Sequence, residues 1–341
     1  MNPVNRRLAL LAMASLFASL VACGGGGSDG PASPGPAQAT NYFPLDADSR
    51  WVYTTTASTQ PVLTRVTGTQ AVGGSTGTVV RVKDLFGGTD DISVYVVAPN
   101  SVREYSTGAA DAITRAFDGI EVMRLPARVG DSFQQLDTTI DSGQDFDGDG
   151  RSDRAELRAE LTVVSTEAVA TPAGTFNESL HQRQTLRVAI LPTTGGAAFV
   201  SNFTIDTWYA PNVGVVKTIS TVSSPGFNDT TTETLSAYRV GSRTNDSIAP
   251  TVQSVTPNTT PTSGLGTVVS AVFSETMDAD SFVPGSFTVM DSANVPIAGI
   301  VAVQGNSARF VSGQAWATGS YTARIAAAQD LLGNPLAAPR S

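Results

Sequence analysis

The feature that most constrains this chain is a repeated period of two. Ten short runs rich in β-branched residues cross its middle: Val62–Thr67, Thr78–Lys83, Ile92–Val97, Ile120–Leu125, Phe133–Ile140, Leu157–Val164, Gln184–Leu191, Phe203–Tyr209, Val215–Thr221 and Thr230–Val240. Many alternate, as in Thr204-Ile205-Asp206-Thr207-Trp208. Such alternation turns one face to a core and the other to water, the pattern of an antiparallel sheet. Gly68, Gly73-Gly74, Gly87-Gly88, Pro126 and Gly130 punctuate the runs as turns. No long segment carries a helical period; Ala109–Phe117 is the one candidate for a short helix. The fold class is therefore all-β.

Composition narrows the partners. The chain has a net charge of −9 and only two lysines, Lys83 and Lys217. It has no electrostatic footprint for nucleic acid and no polybasic patch for anionic lipid. An acidic surface is compatible with binding cations. The single cysteine, Cys23, excludes a disulfide within the chain. Burial and sheet hydrogen bonding must hold the fold.

Residues 1–22 read as an export signal. Met1–Arg7 carries Arg6 and Arg7, and Leu8–Ala22 is apolar but short of the roughly 20 residues a membrane span needs. Leu20-Val21-Ala22-Cys23 resembles the lipobox of bacterial lipoproteins. The resemblance implies a diacylglycerol on the Cys23 thiol, cleavage before it and acylation of the new amine. More than one acyl chain gives stable anchoring. In such lipoproteins an Asp after the cysteine often marks inner-membrane retention. Gly24 stands there, so the expected location is the outer membrane, facing the periplasm or the surface. Residues 23–40, with four consecutive glycines, Pro31, Pro34 and Pro36, read as a flexible tether.

Residues 41–241 form the expected large domain. Tyr42-Phe43-Pro44-Leu45 with Trp51-Val52-Tyr53 resembles the "YFPL…G…W.Y" opening of many bacterial lipoproteins, with Ser49-Arg50 replacing the usual glycine. Thr171-Pro172-Ala173-Gly174-Thr175-Phe176 is similar to their "TPAGTF" segment, and Trp208–Lys217 to their "WYAPGVGLVK" segment. The resemblance implies a curved antiparallel sheet or half-barrel and no particular reaction. Residues 242–247 are polar and read as a linker. From Ile248 the pattern changes. Ala249-Pro250-Thr251-Val252, Ser274-Glu275-Thr276-Met277-Asp278, Gly285-Ser286-Phe287-Thr288-Val289, Tyr321-Thr322 and Asp330–Leu336 resemble, in order, the motifs of the bacterial Ig-like domain of surface-layer and cell-surface proteins. The resemblance implies a β-sandwich over 248–341, lacking its last strand or shortened relative to its relatives, with an unpaired edge there.

Asp145–Glu156 is the sharpest chemical feature. It fits the twelve-residue calcium loop: Asp145, Asp147 and Asp149 at positions one, three and five, Gly150 at the turn, the Arg151 carbonyl at seven, Asp153 at nine and Glu156 at twelve. Alternating carboxylates converge on one hard cation, and glycine lets the chain wrap it. The flanking runs are strands, so Ca2+ here is expected to be structural, and Glu156 is the ligand most exposed to being turned away by strand pairing. The motif also resembles the calcium loops of thrombospondin-type and dockerin-type repeats.

Catalytic candidates are weak. Gly73–Gly77 matches G-x-S-x-G but runs into Thr78–Val82, a strand rather than the helix a nucleophile elbow requires. His181 is the only histidine, and no zinc set accompanies it. Glu121, Glu160, Glu167 and Asp206 leave a carboxylate pair across a groove as the one enzymatic arrangement to test. The expectation is a lipid-anchored, non-enzymatic binding, adhesion or envelope module with a glycan or protein partner. A carrier of a hydrophobic ligand in the half-barrel is the alternative, and a carboxylate-dependent glycan-active enzyme the second.

Overall fold

The computed structural model describes residues 41–83, 90–106, 111–257 and 268–341. The signal 1–22, Cys23, the tether to residue 40 and the Gly87-Gly88 turn lie outside the described residues. The chain divides into two compact units, one ending at Thr244 and one spanning Asn245–Ser341.

The first unit is one antiparallel sheet that nearly closes on itself. Its strands are β1 (Arg50–Thr55), β2 (Ser58–Val72), β3 (Ser75–Val82), β4 (Asp91–Ala98), β5 (Ser101–Ser106), β6 (Ile120–Arg124), β7 (Ser132–Asp141), β8 (Arg154–Thr171), β9 (Gly174–Leu191), β10 (Phe199–Ala210), β11 (Gly214–Ser224), β12 (Phe227–Val240) and β13 (Arg243–Thr244). The order β6-β5-β4-β3-β2-β1-β12-β11-β10-β9-β8-β7 is two meanders joined where β1 pairs with β12. The two ends of that order approach each other, for the Gln135 side-chain amide on β7 donates to the Glu121 carbonyl on β6 at 2.8 Å. The curved antiparallel sheet expected from sequence is present, and it curls until it is nearly closed.

The sequence runs match strands of this sheet, while β5 has no run of its own, and three further differences stand. β8 and β9 extend well beyond Leu157–Val164 and Gln184–Leu191, and the Thr171–Gly174 turn is the tip of their long arm. That tip folds back onto the sheet: the Ala173 N–H donates to the Leu235 carbonyl at 3.1 Å. The expected helix is a single turn, α1 (Ala112–Arg115), whose N-terminus Asp111 caps by accepting the Thr114 N–H at 2.8 Å. Within the expected linker 242–247, Arg243 and Thr244 pair with β12.

Two apolar clusters line the inner face. The first gathers Phe43, Trp51, Tyr53, Tyr95, Leu180, Tyr209, Val216 and Leu235. The three lipoprotein-like segments meet there. Trp51 Nε1 donates to the Val213 carbonyl at 2.6 Å, Tyr53 Oη to the Val215 carbonyl at 3.0 Å, and Phe43 stacks on Tyr209 at 5.1 Å. Phe176 of the arm lies 6.2 Å from Tyr238. Full burial of each such aromatic is worth roughly 1.5–3 kcal/mol, so these motifs are the packing of one core. The second cluster contains Phe146, Leu157, Leu186, Val188, Ile190, Phe203 and Val222, with Ile113 of α1 and Phe117 packed against it.

The second unit has two small sheets. One runs β14 (Val252–Thr256), β15 (Val268–Phe273), β18 (Ser307–Ser312), β17 (Gly299–Gln304); the other pairs β16 (Phe287–Met290) with β19 (Thr322–Ile325). Phe273, Phe287, Phe310 and Ile325 share one core between them. Arg340 forms an isolated antiparallel bridge with Ile325.

Candidate functional site

The acidic loop lies between β7 and β8, whose last pair is Asp141 with Arg154. Phe146 pins it by entering the second apolar cluster. Gly148 and Gly150 both have φ of 85°, a region glycine reaches without a Cβ penalty. Asp145, Asp147 and Asp149 each bring a carboxylate oxygen to one point, all within 4.8 Å of one another. Asp145 Oδ2 accepts the Gly150 N–H at 2.7 Å, and Asp149 Oδ1 accepts the Arg151 N–H at 2.8 Å.

The connection from β9 to β10 clamps this loop. The Thr194 hydroxyl donates to Asp147 Oδ2 and the Thr193 hydroxyl to Asp149 Oδ2, each at 2.7 Å. The Thr194 hydroxyl is the first cause holding the Asp147 carboxyl below its usual range. Thr193 and Thr194 lie more than forty positions from the loop (44 and 47 from their partners), so motif spacing alone could not find them.

Asp153 and Glu156 part from the converging three. Asp153 is fully buried at 0% exposure and accepts N–H groups from Phe146 at 2.7 Å, Asp147 at 3.3 Å and Thr193 at 2.8 Å. Donated N–H groups stabilise a buried carboxylate, which makes Asp153 the internal brace of the loop. Glu156 lies on β8 between Thr139 and Ala189, with Oε2 3.4 Å from Arg187 Nη1. Arg151 is exposed in the loop. The structure thus assembles positions one, three and five, and not the full twelve-residue set. Pairing of β8 begins at Arg154, and this decides which way Glu156 faces.

The second unit holds another carboxylate group, Asp246, Glu275 and Asp330, also within 4.8 Å of one another. Burial, then the negative charges of Asp330 and Asp246, push the Glu275 carboxyl up to about 7. Asp330 is buried and accepts both the N–H and the side-chain amide of Asn334, at 2.8 and 2.7 Å.

His181 stands in a cross-strand network beside Trp208, which itself packs into the first apolar cluster. Its Nε2 lies 2.6 Å from Asp206 Oδ1 and its Nδ1 3.5 Å from Ser165 Oγ. Arg183 also binds Asp206, Glu167 accepts the Trp208 indole N–H, and Lys217 Nζ sits 4.9 Å from the Trp208 ring centroid. Glu160 accepts the Ser132 hydroxyl and Glu121 pairs with Arg124. Each of the four carboxylates raised from sequence is therefore engaged in a local contact. Gly73 and Gly74, with φ of 56° and 76°, form the hairpin turn between β2 and β3, as the strand after them requires. On the outer face Arg239, Arg50, Arg65 and Arg81 take directly opposed positions across β12, β1, β2 and β3, and Arg81 pairs with Asp90.

Two sheets sharing one core after Thr244 are the geometry expected of a sandwich. Residues 246–341 match the family model of the bacterial Ig-like domain. The Ig-like domain thus includes Asp246, Glu275 and Asp330. Two solved structures align with 59% of the chain. One, described as a lipoprotein of Parabacteroides distasonis, is 14% identical, with a TM-score of 0.35 and 100% of that chain covered. The other, described as an exported protein with a YmcC-like fold from Bacteroides fragilis, is 18% identical, with a TM-score of 0.32 and 99% of that chain covered. Likenesses of this size carry no argument for the first unit. No curated protein matches the chain.

Proposed function

We propose that this chain is a lipid-anchored exported protein of the bacterial outer membrane that acts as a non-enzymatic binding or adhesion module. The observation that carries the reading is the Ig-like domain at residues 246–341, a type of module built for display and contact rather than chemistry. The lipobox at Cys23 supports the anchor. The inner face of the first unit supports binding over acyl-chain carriage, because aromatic and aliphatic side chains already occupy it. The partner is a glycan or protein of the cell envelope.

We assign a structural calcium to Asp145, Asp147 and Asp149, with the Arg151 carbonyl and water completing the shell. Convergence of three carboxylates on a hairpin tip supports it, and Ca2+ takes oxygen ligands of this kind. The ion would tie the β7–β8 tip to the Thr193-Thr194 connection.

The full chain carrying Cys23→Ser, incubated with isolated envelope fractions, tests the binding reading. It should co-sediment with them and release no soluble fragments. Failure to co-sediment, or release of cleaved glycan, overturns it.

A further inference from the structure

Three segments of the Ig-like domain, distant in sequence, are tied together at one joint. The entry segment carries Asp246, the connection from β15 to β16 carries Glu275, and the turn after β19 carries Asp330. Backbone bonds close the joint. The Ser274 N–H donates to the Thr251 carbonyl and the Asp278 N–H to the Gln329 carbonyl, both at 2.9 Å. Met277 and Asp330 form an isolated antiparallel bridge. The Ala337 N–H donates to the Pro250 carbonyl at 2.9 Å, so the last segment also returns to the first. The joint is anchored by apolar side chains: Met277 and Ala328 belong to the domain core, and Leu331 and Leu332 of the turn are buried.

The carboxyls sit inside this joint, each with an oxygen within 4.8 Å of the other two. Asp330 is 2% exposed, and both its oxygens accept N–H groups of Asn334. The half-buried Glu275 side chain is in hydrogen-bonding contact with Asp330. Two carboxylates in such contact repel unless a proton lies between them. Asp330 already accepts at both oxygens, so the hydrogen in the pair is the one Glu275 donates. The other groups acting on Glu275 are Asp246 and the Ser274 hydroxyl, and no Lys, Arg or His is among them. Asp278, on the same connection, turns its carboxylate to the Asp280 N–H at 3.1 Å. No cation among the groups facing Glu275 offsets its charge once the proton leaves.

We propose that Glu275 and Asp330 form a proton-held latch: the hydrogen on Glu275 keeps the C-terminal segment against the β15–β16 connection, and its loss loosens the joint. Burial, then the charges of Asp330 and Asp246, raise the Glu275 carboxyl from 4.5 to about 7. The folded domain therefore holds a proton that the unfolded chain gives up between those values. The latch contributes fully below the lower value and is lost as pH rises through the upper one. Its release would also take Arg340 from its bridge to Ile325 and bare that edge of β19, and a bare edge is a template for another strand. The proposal uses only residues of the Ig-like domain and stands apart from the anchor, the calcium and the envelope partner.

The test is hydrogen exchange of the full chain carrying Cys23→Ser, with chelator present throughout, from about pH 6 to about pH 8. The amides that close the joint, those of Asp278, Ile325, Asn334 and Leu336, should lose protection severalfold over that range after correction for intrinsic rate. One proton allows at most about tenfold there, and solvent screening of a half-buried carboxyl lowers it. The reading must be local, because burial lifts Glu233 of the first unit to about 7 as well and whole-chain unfolding would mix the two. Glu275→Gln keeps a donor for Asp330 but cannot ionise, so it should hold these amides closed across the range. A loss confined to the joint and cancelled in the variant supports the latch. Unchanged protection in the parent, or an equal loss in Glu275→Gln, overturns it.

Discussion

His181 and Trp208 face each other across β9 and β10, and their rings stack at 4.2 Å with 13° between the planes. The only histidine of the chain is thereby held as a packed residue, with Asp206 at one ring nitrogen and Ser165 at the other. Asp206 is shared with Arg183, so the three side chains form one network rather than an isolated pair.

Removing the shared acceptor should therefore cost more than removing an ordinary surface charge. Asp206→Ala should lower the unfolding free energy by about 1–3 kcal/mol, and His181→Ala, which removes the stack as well, by a similar or larger amount. Urea unfolding of each variant measures this. A loss within about 0.5 kcal/mol for both, typical of a plain surface site, would contradict the network.

The acidic loop separates into a brace, Asp153, and three carboxylates proposed as ligands, Asp145, Asp147 and Asp149. Calcium should raise the unfolding temperature of the chain, and Asp147→Ala with Asp149→Ala should abolish that rise. Asp153→Ala should destabilise the chain by about 3 kcal/mol with or without calcium, because it orphans buried N–H groups of Phe146 and Thr193. Calorimetry with calcium and with chelator distinguishes the two. No calcium shift in the parent would sink the metal assignment.

Glu233 predicts a pH slope. Its folded value of about 7 exceeds its ordinary value of 4.5. The folded state therefore holds more proton than the unfolded state between those values, and stability falls as pH rises through that window. Below it both states are protonated and the slope vanishes. Tyr53, which the Glu233 charge reaches, and Tyr209 and Tyr95, which the Glu104 charge reaches, are raised chiefly by burial and stay neutral throughout. Glu233→Gln should flatten the slope from about pH 5 to 7 and raise stability at pH 8. Unfolding curves across that range check it, and an unchanged slope would place the titrating group elsewhere.

Gly299 predicts a local failure of the Ig-like domain. A Cβ there would meet the Val311 carbonyl oxygen at 2.5 Å, and that atom is backbone and cannot swing away. Gly299→Ala should destabilise the second unit by about 1–3 kcal/mol. Hydrogen exchange should report the loss on β17 and β18 while the protection of β8 and β9 stays unchanged.

The strands were legible because alternation is a local pattern. The β8–β9 arm was less so, since Glu167, Asn177 and Glu178 break the apolar period that marks its ends as sheet. Asp145, Asp147 and Asp149 were legible as a group because their spacing alone brings them together. Glu156 was not, because its direction depends on the pairing of β8 with β7 and β9. Thr193 and Thr194, and the alignment of Gln182, Thr207, Thr218 and Glu233, carry no motif and emerge only from neighbouring strands.

By itself the sequence determined the all-β class, the Ig-like domain at the C-terminal end and the run of acidic residues. Tertiary structure alone decided that β1 closes on β12, that Trp51 reaches Val213 across 162 positions, and that Gln182, Thr207, Thr218 and Glu233 lie abreast. The reason is physical. A period of two states which residues share a face, but strand order and register are set by contacts distant in sequence, and they choose which shared faces meet.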